Sequence, residues 1–176
     1  VSWSGDVLAK ALDASGLPIG DLWSAAKKLP AHDARNLFVG LGGNAGASPL
    51  NWASLSTAQI SLIGPLASDN LIKYLRGDRS LEGTSYRVRD LSSVLGDMVN
   101  STPLLIGGIL DEQYQFLPDG TPGKDTYQSY VQAKKSRPDV LFIGANDGML
   151  HGFNGATGVE VFGFMPHALL HNVAQL

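Results

Sequence analysis

The sequence predicts a mainly β fold with helical insertions, organised as a partial, modified β-propeller of antiparallel meanders. Three observations carry that reading. Short apolar segments joined by glycine turns fill residues 138–166, a further apolar segment lies upstream at 103–107, and the N-terminus echoes the same pattern.

Pro138-Asp139 opens the run Val140-Leu141-Phe142-Ile143-Gly144, apolar on both faces as in a buried strand. Asn146-Asp147-Gly148 follows as a hairpin turn, because Asn and Gly adopt positive φ at low cost. Met149-Leu150-His151-Gly152-Phe153 returns, Asn154-Gly155-Ala156-Thr157-Gly158 turns again, and Val159 to Phe164 forms another strand. Pro103-Leu104-Leu105-Ile106-Gly107 supplies the innermost strand of the same blade. The stretch 108–138 then becomes a long polar insertion, with Tyr114, Phe116, Tyr127 and Tyr130 expected to anchor it.

At the N-terminus, Asp6 to Gly16 lines up with Asp147 to Gly158, with one residue inserted near the end. Each reads Asp, apolar strand, Asp or Asn, small-residue turn, Gly, and repetition of one supersecondary unit is the signature of propeller architecture. Helical composition marks Leu22 to Leu29, residues 54–63 behind Ser56 or Thr57, Asp69 to Leu75 behind Ser68, and His167 to Leu176 after Pro166. The segment 40–52, rich in Gly, Asn and Ala, reads as a surface loop. The expected division is a partial blade at 1–30, a helical and loop insertion at 31–93, one full blade at 94–166 and a helix start at 167–176.

Composition narrows the function classes. With 13 basic and 16 acidic residues the net charge is −3 and no basic block stands out, so nucleic acid is not an expected partner. The chain has no cysteine, which excludes a disulfide scaffold, a thiolate metal site and a cysteine nucleophile. No apolar run reaches the length of a membrane span. The start is not a signal peptide and the final residues stop within a helical pattern, so a fragment of a longer protein is expected.

Four motifs then fall in order: Tyr74-Leu75-Arg76-Gly77-Asp78-Arg79-Ser80, Tyr86-Arg87-Val88-Arg89, Leu95 to Pro103 and Ile143 to His151. Their order and spacing resemble the C-terminal region of the PilY/PilC family of type IV pilus tip-associated proteins, as do Trp3-Ser4-Gly5-Asp6 and Trp23-Ser24-Ala25-Ala26. The resemblance implies the opening part of a modified β-propeller with quinoprotein-like blades. It implies export to the pilus tip or cell surface, and roles in pilus biogenesis, retraction control, twitching motility and adhesion. The implied partners are minor pilins and a host-cell or surface receptor. The family's propeller also carries a calcium loop of closely spaced Asp residues. No Asp-x-Asp-x-Asp arrangement occurs here, so no cofactor is expected in this segment and the loop is expected C-terminal to it.

Arg76-Gly77-Asp78 is the candidate binding motif, being the tripeptide that integrins recognise. A receptor would need it on a protruding turn, with cation and carboxylate pointing apart. The same residues also suit a helix end, with Gly77 as the left-handed terminator and Arg76 near the negative pole. His167 and His171, four apart, lack the intervening Glu of a metalloprotease helix, and packing or surface roles are expected for them. The loop Gly40 to Gly46 lacks the Lys-Ser/Thr ending that cradles phosphate. Trp3 and Trp23 are expected to pack between sheets, and Trp52 is unassigned. No catalytic or metal residues are assigned and no enzyme is expected. Two alternatives stay open: a fragment of a quinoprotein-like propeller dehydrogenase, and a purely structural scaffold of a surface protein.

Overall fold

The structure, a computed structural model, describes residues 4–108 and 111–175; the packing role expected of Trp3 lies outside the described residues. Strands β1 (Leu8–Leu12) and β2 (Pro18–Ser24) form an antiparallel hairpin, followed by the single helical turn α1 (Ala25–Lys28). Then come β3 (Leu37–Gly40), β4 (Ala47–Pro49), α2 (Thr57–Ile63) and α3 (Asp69–Arg76). Strand β5 (Leu104–Ile106) precedes α4 (Lys124–Lys134), and β6 (Val140–Gly144), β7 (Leu150–Asn154) and β8 (Glu160–Met165) complete the sheet. A 3₁₀ segment, His167–Gln175, follows.

The chain is thus mainly β with a few helices, and its sheets do not close, as in a partial propeller. Strands β5 to β8 form an antiparallel meander in sequence order, the blade that the apolar runs and glycine turns predict. The sheet extends further than the sequence reading foresaw. Strand β3 pairs in parallel with β8, and β4 pairs antiparallel with β3. The segment 31–93 therefore contributes two strands to the blade sheet, and part of the stretch 40–52 is strand. Strand β4 has only three residues, too few to register as period-two alternation.

Local signals set the helix boundaries. Ser56 caps α2 reciprocally with Gln59, and the Ser68 hydroxyl accepts from the Leu71 amide at the start of α3. Gly77 ends α3 at φ 116°, a conformation that a side chain would strain. Leu22 to Ser24, expected to be helical, are strand, because Trp23 and Ser24 pair with Ala9 and Leu8. The C-terminal segment is 3₁₀, and its buried Leu170 and Val173 are spaced three apart, the period of that helix. The insertion after β5 contains α4, against which Tyr114 packs through Tyr127. Phe116 and Tyr130 are exposed rather than anchoring.

Two apolar clusters pack on one face of the sheet. Leu37 and Val39 of β3 and Met165 of β8 meet Ile63 of α2 and Leu71, Ile72 and Leu75 of α3. Further along the same face Val7, Trp23 and Ala25 meet Leu95, Ile143 and Phe153, joining the N-terminal hairpin to the blade. The Trp23 indole also donates Nε1–H to the Gly155 carbonyl at 3.0 Å, and its ring lies against Gly158 where a Cβ would collide.

The two hairpins share their register next to the turn, although the first has a further shift between Ala9 and Lys10. Leu12 pairs with Pro18 and Ala11 with Gly20, as Phe153 pairs with Glu160 and Gly152 with Phe162. Each second strand therefore bulges by one residue at the same place, Ile19 in one and Val161 in the other. Each turn closes on the side-chain oxygen of its first residue. Asp13 accepts from the Ser15 and Leu17 amides, and Asn154 from the Ala156 and Thr157 amides.

Trp23 is the main apolar link from the first hairpin to the second. Trp23→Ala should lower the unfolding free energy by about 3 to 5 kcal/mol in urea titrations, whereas loss of the exposed Leu17 side chain should change it little.

Candidate functional site

Charged residues in apolar surroundings must be paired, and the blade contains several. Strand β7 carries His151, which is 0% exposed, and strand β8 begins with Glu160, 6% exposed. Arg35, on the loop before β3, is 5% exposed. Arg35 forks onto Glu160, with Nε donating to Oε2 and Nη2 to Oε1, both at 2.7 Å. Glu160 Oε1 accepts from His151 Nδ1 at 2.9 Å. On the other side of the ring, His151 Nε2 donates to Asp147 Oδ2 at 3.0 Å.

Each imidazole nitrogen therefore faces a carboxylate. A neutral ring would turn a lone pair toward one of them, so the arrangement calls for the doubly protonated imidazolium. Burial opposes that charge, but Asp147 and Glu160 outweigh it and raise the His151 pKa to about 9. Burial likewise opposes ionisation of Glu160, and hydrogen bonds from Arg35 and His151 outweigh it, bringing its pKa to about 2. The Asp147 carboxyl is lowered in the same sense: burial is outweighed by the His151 charge and by amide bonds from Gly96 and Met149. The four side chains thus alternate in sign, Asp147 and Glu160 negative, His151 and Arg35 positive.

The network reaches the candidate tripeptide. Arg35 Nη1 donates to the Arg76 carbonyl at 2.8 Å, and Arg76 Nη2 donates back to the Arg35 carbonyl at 2.8 Å. Arg76 also donates to the carbonyls of Leu50 and Asp33. Its guanidinium is thus turned inward across the loop before β3. Gly77 terminates α3, and the half-buried Asp78 carboxylate accepts from the Ser80 amide at 2.8 Å. That amide is the first cause of a lowered Asp78 pKa. Arginine and carboxylate therefore do not splay as a pair from a protruding turn.

The other family-like motifs close around the same helix end. Arg89 pairs with Glu82 at 2.6 Å, donates to the Tyr74 and Asp78 carbonyls, and lies 4.0 Å over the Tyr74 ring. Tyr86 stacks on the opposite side at 4.7 Å. Arg79 donates to the carbonyls of Asp90 and Ser93. Gly5, Gly96 and the Asp147 turn stack backbone on backbone: Gly5 N–H donates to Leu95 O, and Asn146 N–H to Asp97 O. A Cβ on Gly96 would strike the Asp147 amide. Beside Tyr74 and Tyr86 runs a groove of about 530 Å³, lined in part by Leu66, Leu71 and Val173.

Comparison with known proteins then gives the lineage. Residues 95–173 match the family model described as the PilY1 beta-propeller domain. Over 99% of its length the chain is 34% identical to a "Type IV pilus biogenesis factor PilY1 homolog" of Xylella fastidiosa. It is 32% identical, again over 99% of its length, to "Type IV pilus biogenesis factor PilY1" of Pseudomonas aeruginosa strain PAK. The resemblance to the PilY1 family is thus borne out along nearly the whole chain. The chain spans only 14% and 16% of those two relatives' lengths. No solved structure matches it.

Of the motifs that carry the family resemblance, Arg76, Asp147 and His151 join one buried ionic junction, and Arg79 and Arg89 bind backbone carbonyls around the same helix end. The sequence reading assigned Asp147 to a turn and left Arg35, His151 and Glu160 without a role. The available signal was a His and a Glu flanked by apolar strand residues, which demands partners elsewhere in the chain. Among the described residues no group of three or more His, Cys, Asp or Glu side chains is placed to hold a metal ion, and no helix is long and apolar enough to cross a membrane.

Removing Arg35 leaves two buried carboxylates, Glu160 and Asp147, with His151 between them as their one cation. Arg35→Met should cost about 3 to 5 kcal/mol in chemical denaturation, and Arg35→Met with Glu160→Met should recover much of that loss. Equal losses in the single and double variants would show that the pair is not the stabilising unit.

Proposed function

We propose that this chain is a non-enzymatic segment of an exported type IV pilus biogenesis factor, acting at the pilus tip or cell surface. In this reading it supports pilus assembly, restrains retraction, and thereby contributes to twitching motility and adhesion. Its partners are minor pilins and a surface or host-cell receptor. The observation that carries the reading is similarity along nearly the whole chain to proteins named as PilY1 pilus biogenesis factors. The rigid buried junction supports a scaffolding role, since charges already paired with one another are not free to act on a substrate. In particular, Asp147 and Glu160 are committed to His151 and Arg35, which disfavours their service as a dehydrogenase base. Calcium dependence of the longer protein is assigned to residues outside 1–176.

Deletion of the coding segment for 1–176 from the full gene should abolish surface pili and twitching, with both restored by the intact gene in trans. Normal piliation in the deletion strain would overturn the proposal.

Adhesion through the tripeptide, in this reading, works through Asp78, because Arg76 is held by three backbone carbonyls. Asp78→Ala in the full-length protein should reduce attachment to integrin-coated surfaces several-fold while leaving thermal stability nearly unchanged. Undiminished attachment would remove the tripeptide from the adhesion mechanism.

A further inference from the structure

The buried ionic chain has two ends, and they lie in different parts of the fold. At one end Asp147 holds the blade hairpin turn and the Gly96 amide. At the other, Arg35 holds the carbonyl of Arg76 at the C-terminus of α3. Between them sits His151, the one member of the four whose proton is exchangeable near neutral to alkaline pH.

We infer that the buried imidazolium of His151 is a protonation-controlled latch, which ties the blade hairpin through Glu160 and Arg35 to the helix end bearing Arg76-Gly77-Asp78 and loosens that end when it loses its proton.

The charge count explains the coupling. With His151 protonated, two carboxylates balance two cations and the network is neutral. Loss of one proton leaves two buried carboxylates against a single cation, Arg35, which reaches only Glu160 of the two, and one ring nitrogen presents a lone pair to a carboxylate. Buried charge without a partner is costly, so the network must rearrange. The groups facing the ring are Asp147 from the hairpin turn and Glu160 from β8, with Arg35 behind Glu160 and the Phe153 ring stacked at 5.8 Å. Asp147 keeps two backbone amide donors whatever the state of the ring. Glu160 is held by Arg35, so movement of Glu160 moves Arg35 and weakens its bond to the Arg76 carbonyl.

The sign follows from the raised value. His151 contributes its full stabilisation below its ordinary pKa of 6.5, and the contribution is lost as the pH climbs through about 9. The latch is therefore closed in acid and neutral conditions and opens in alkali.

Carbon-detected NMR on the 176-residue chain tests this. His32 lies beside Gly77, so the measurements use a His32→Asn background. The His151 ring carbons and the Arg76 carbonyl carbon should titrate together, with a midpoint near pH 9. In His151→Gln the Arg76 carbonyl should no longer titrate in that range. Asp147→Asn, which keeps the shape of the turn, should lower both midpoints together by about one unit or more. A flat Arg76 carbonyl while His151 titrates would overturn the latch. So would an Arg76 titration that persists in His151→Gln, or midpoints unmoved in Asp147→Asn.

Discussion

An imidazolium sealed from solvent needs a counter-charge and an acceptor for each N–H, and here both acceptors are carboxylates that must in turn be held. That constraint organises the fold. Asp147 is fixed by the hairpin turn and by the amides of Gly96 and Met149, so the loop at 95–97 must cross the turn at backbone contact distance. Glu160 is fixed by Arg35, so the loop before β3 must lie against the first residue of β8. Once Arg35 is there, β3 continues beside β8, and α3 is brought to the same point through reciprocal bonds between Arg35 and Arg76. The apolar clusters flank the ionic chain on one face of the sheet and supply the bulk of the burial. The ionic chain selects which segments meet.

This explains why the family-like motifs are charged although they are not surface features. Arg76, Arg79 and Arg89 all spend donors on backbone carbonyls near the end of α3 or in the segment that follows it. Guanidinium groups suit that task, because a planar fork reaches several oxygens at once and keeps its charge through burial. The polar composition of 74–90 thus reflects internal wiring of a loop-rich region, where regular backbone pairing is scarce.

What could be read in the sequence was governed by range. The blade strands, the glycine turns and the caps of α2 and α3 depend on residues a few positions apart, and their signals were visible at Asn146-Asp147-Gly148, Ser56 and Ser68. The likeness of the first strand and turn of the two hairpins was also visible, as a match of residue types. Strands β3 and β4 were not, because the pairing of β3 with β8 spans more than 120 residues and β4 alternates for only three. The ionic junction was hidden for the same reason: Arg35 and Glu160 are 125 positions apart. The tripeptide drew attention through its spelling, while its Arg side chain is set by loops that the local sequence does not mention.

The insertion between β5 and β6 leaves and returns without disturbing the pairing of Leu104 with Phe142 or Ile106 with Val140. Its helix buries little besides Val131. Such a segment answers to almost no constraint from the rest of the chain, since lengthening it costs only slowly growing loop entropy. It is the place where lineages can vary length and chemistry freely, or where a tag can be grafted, while the blade beneath keeps its geometry.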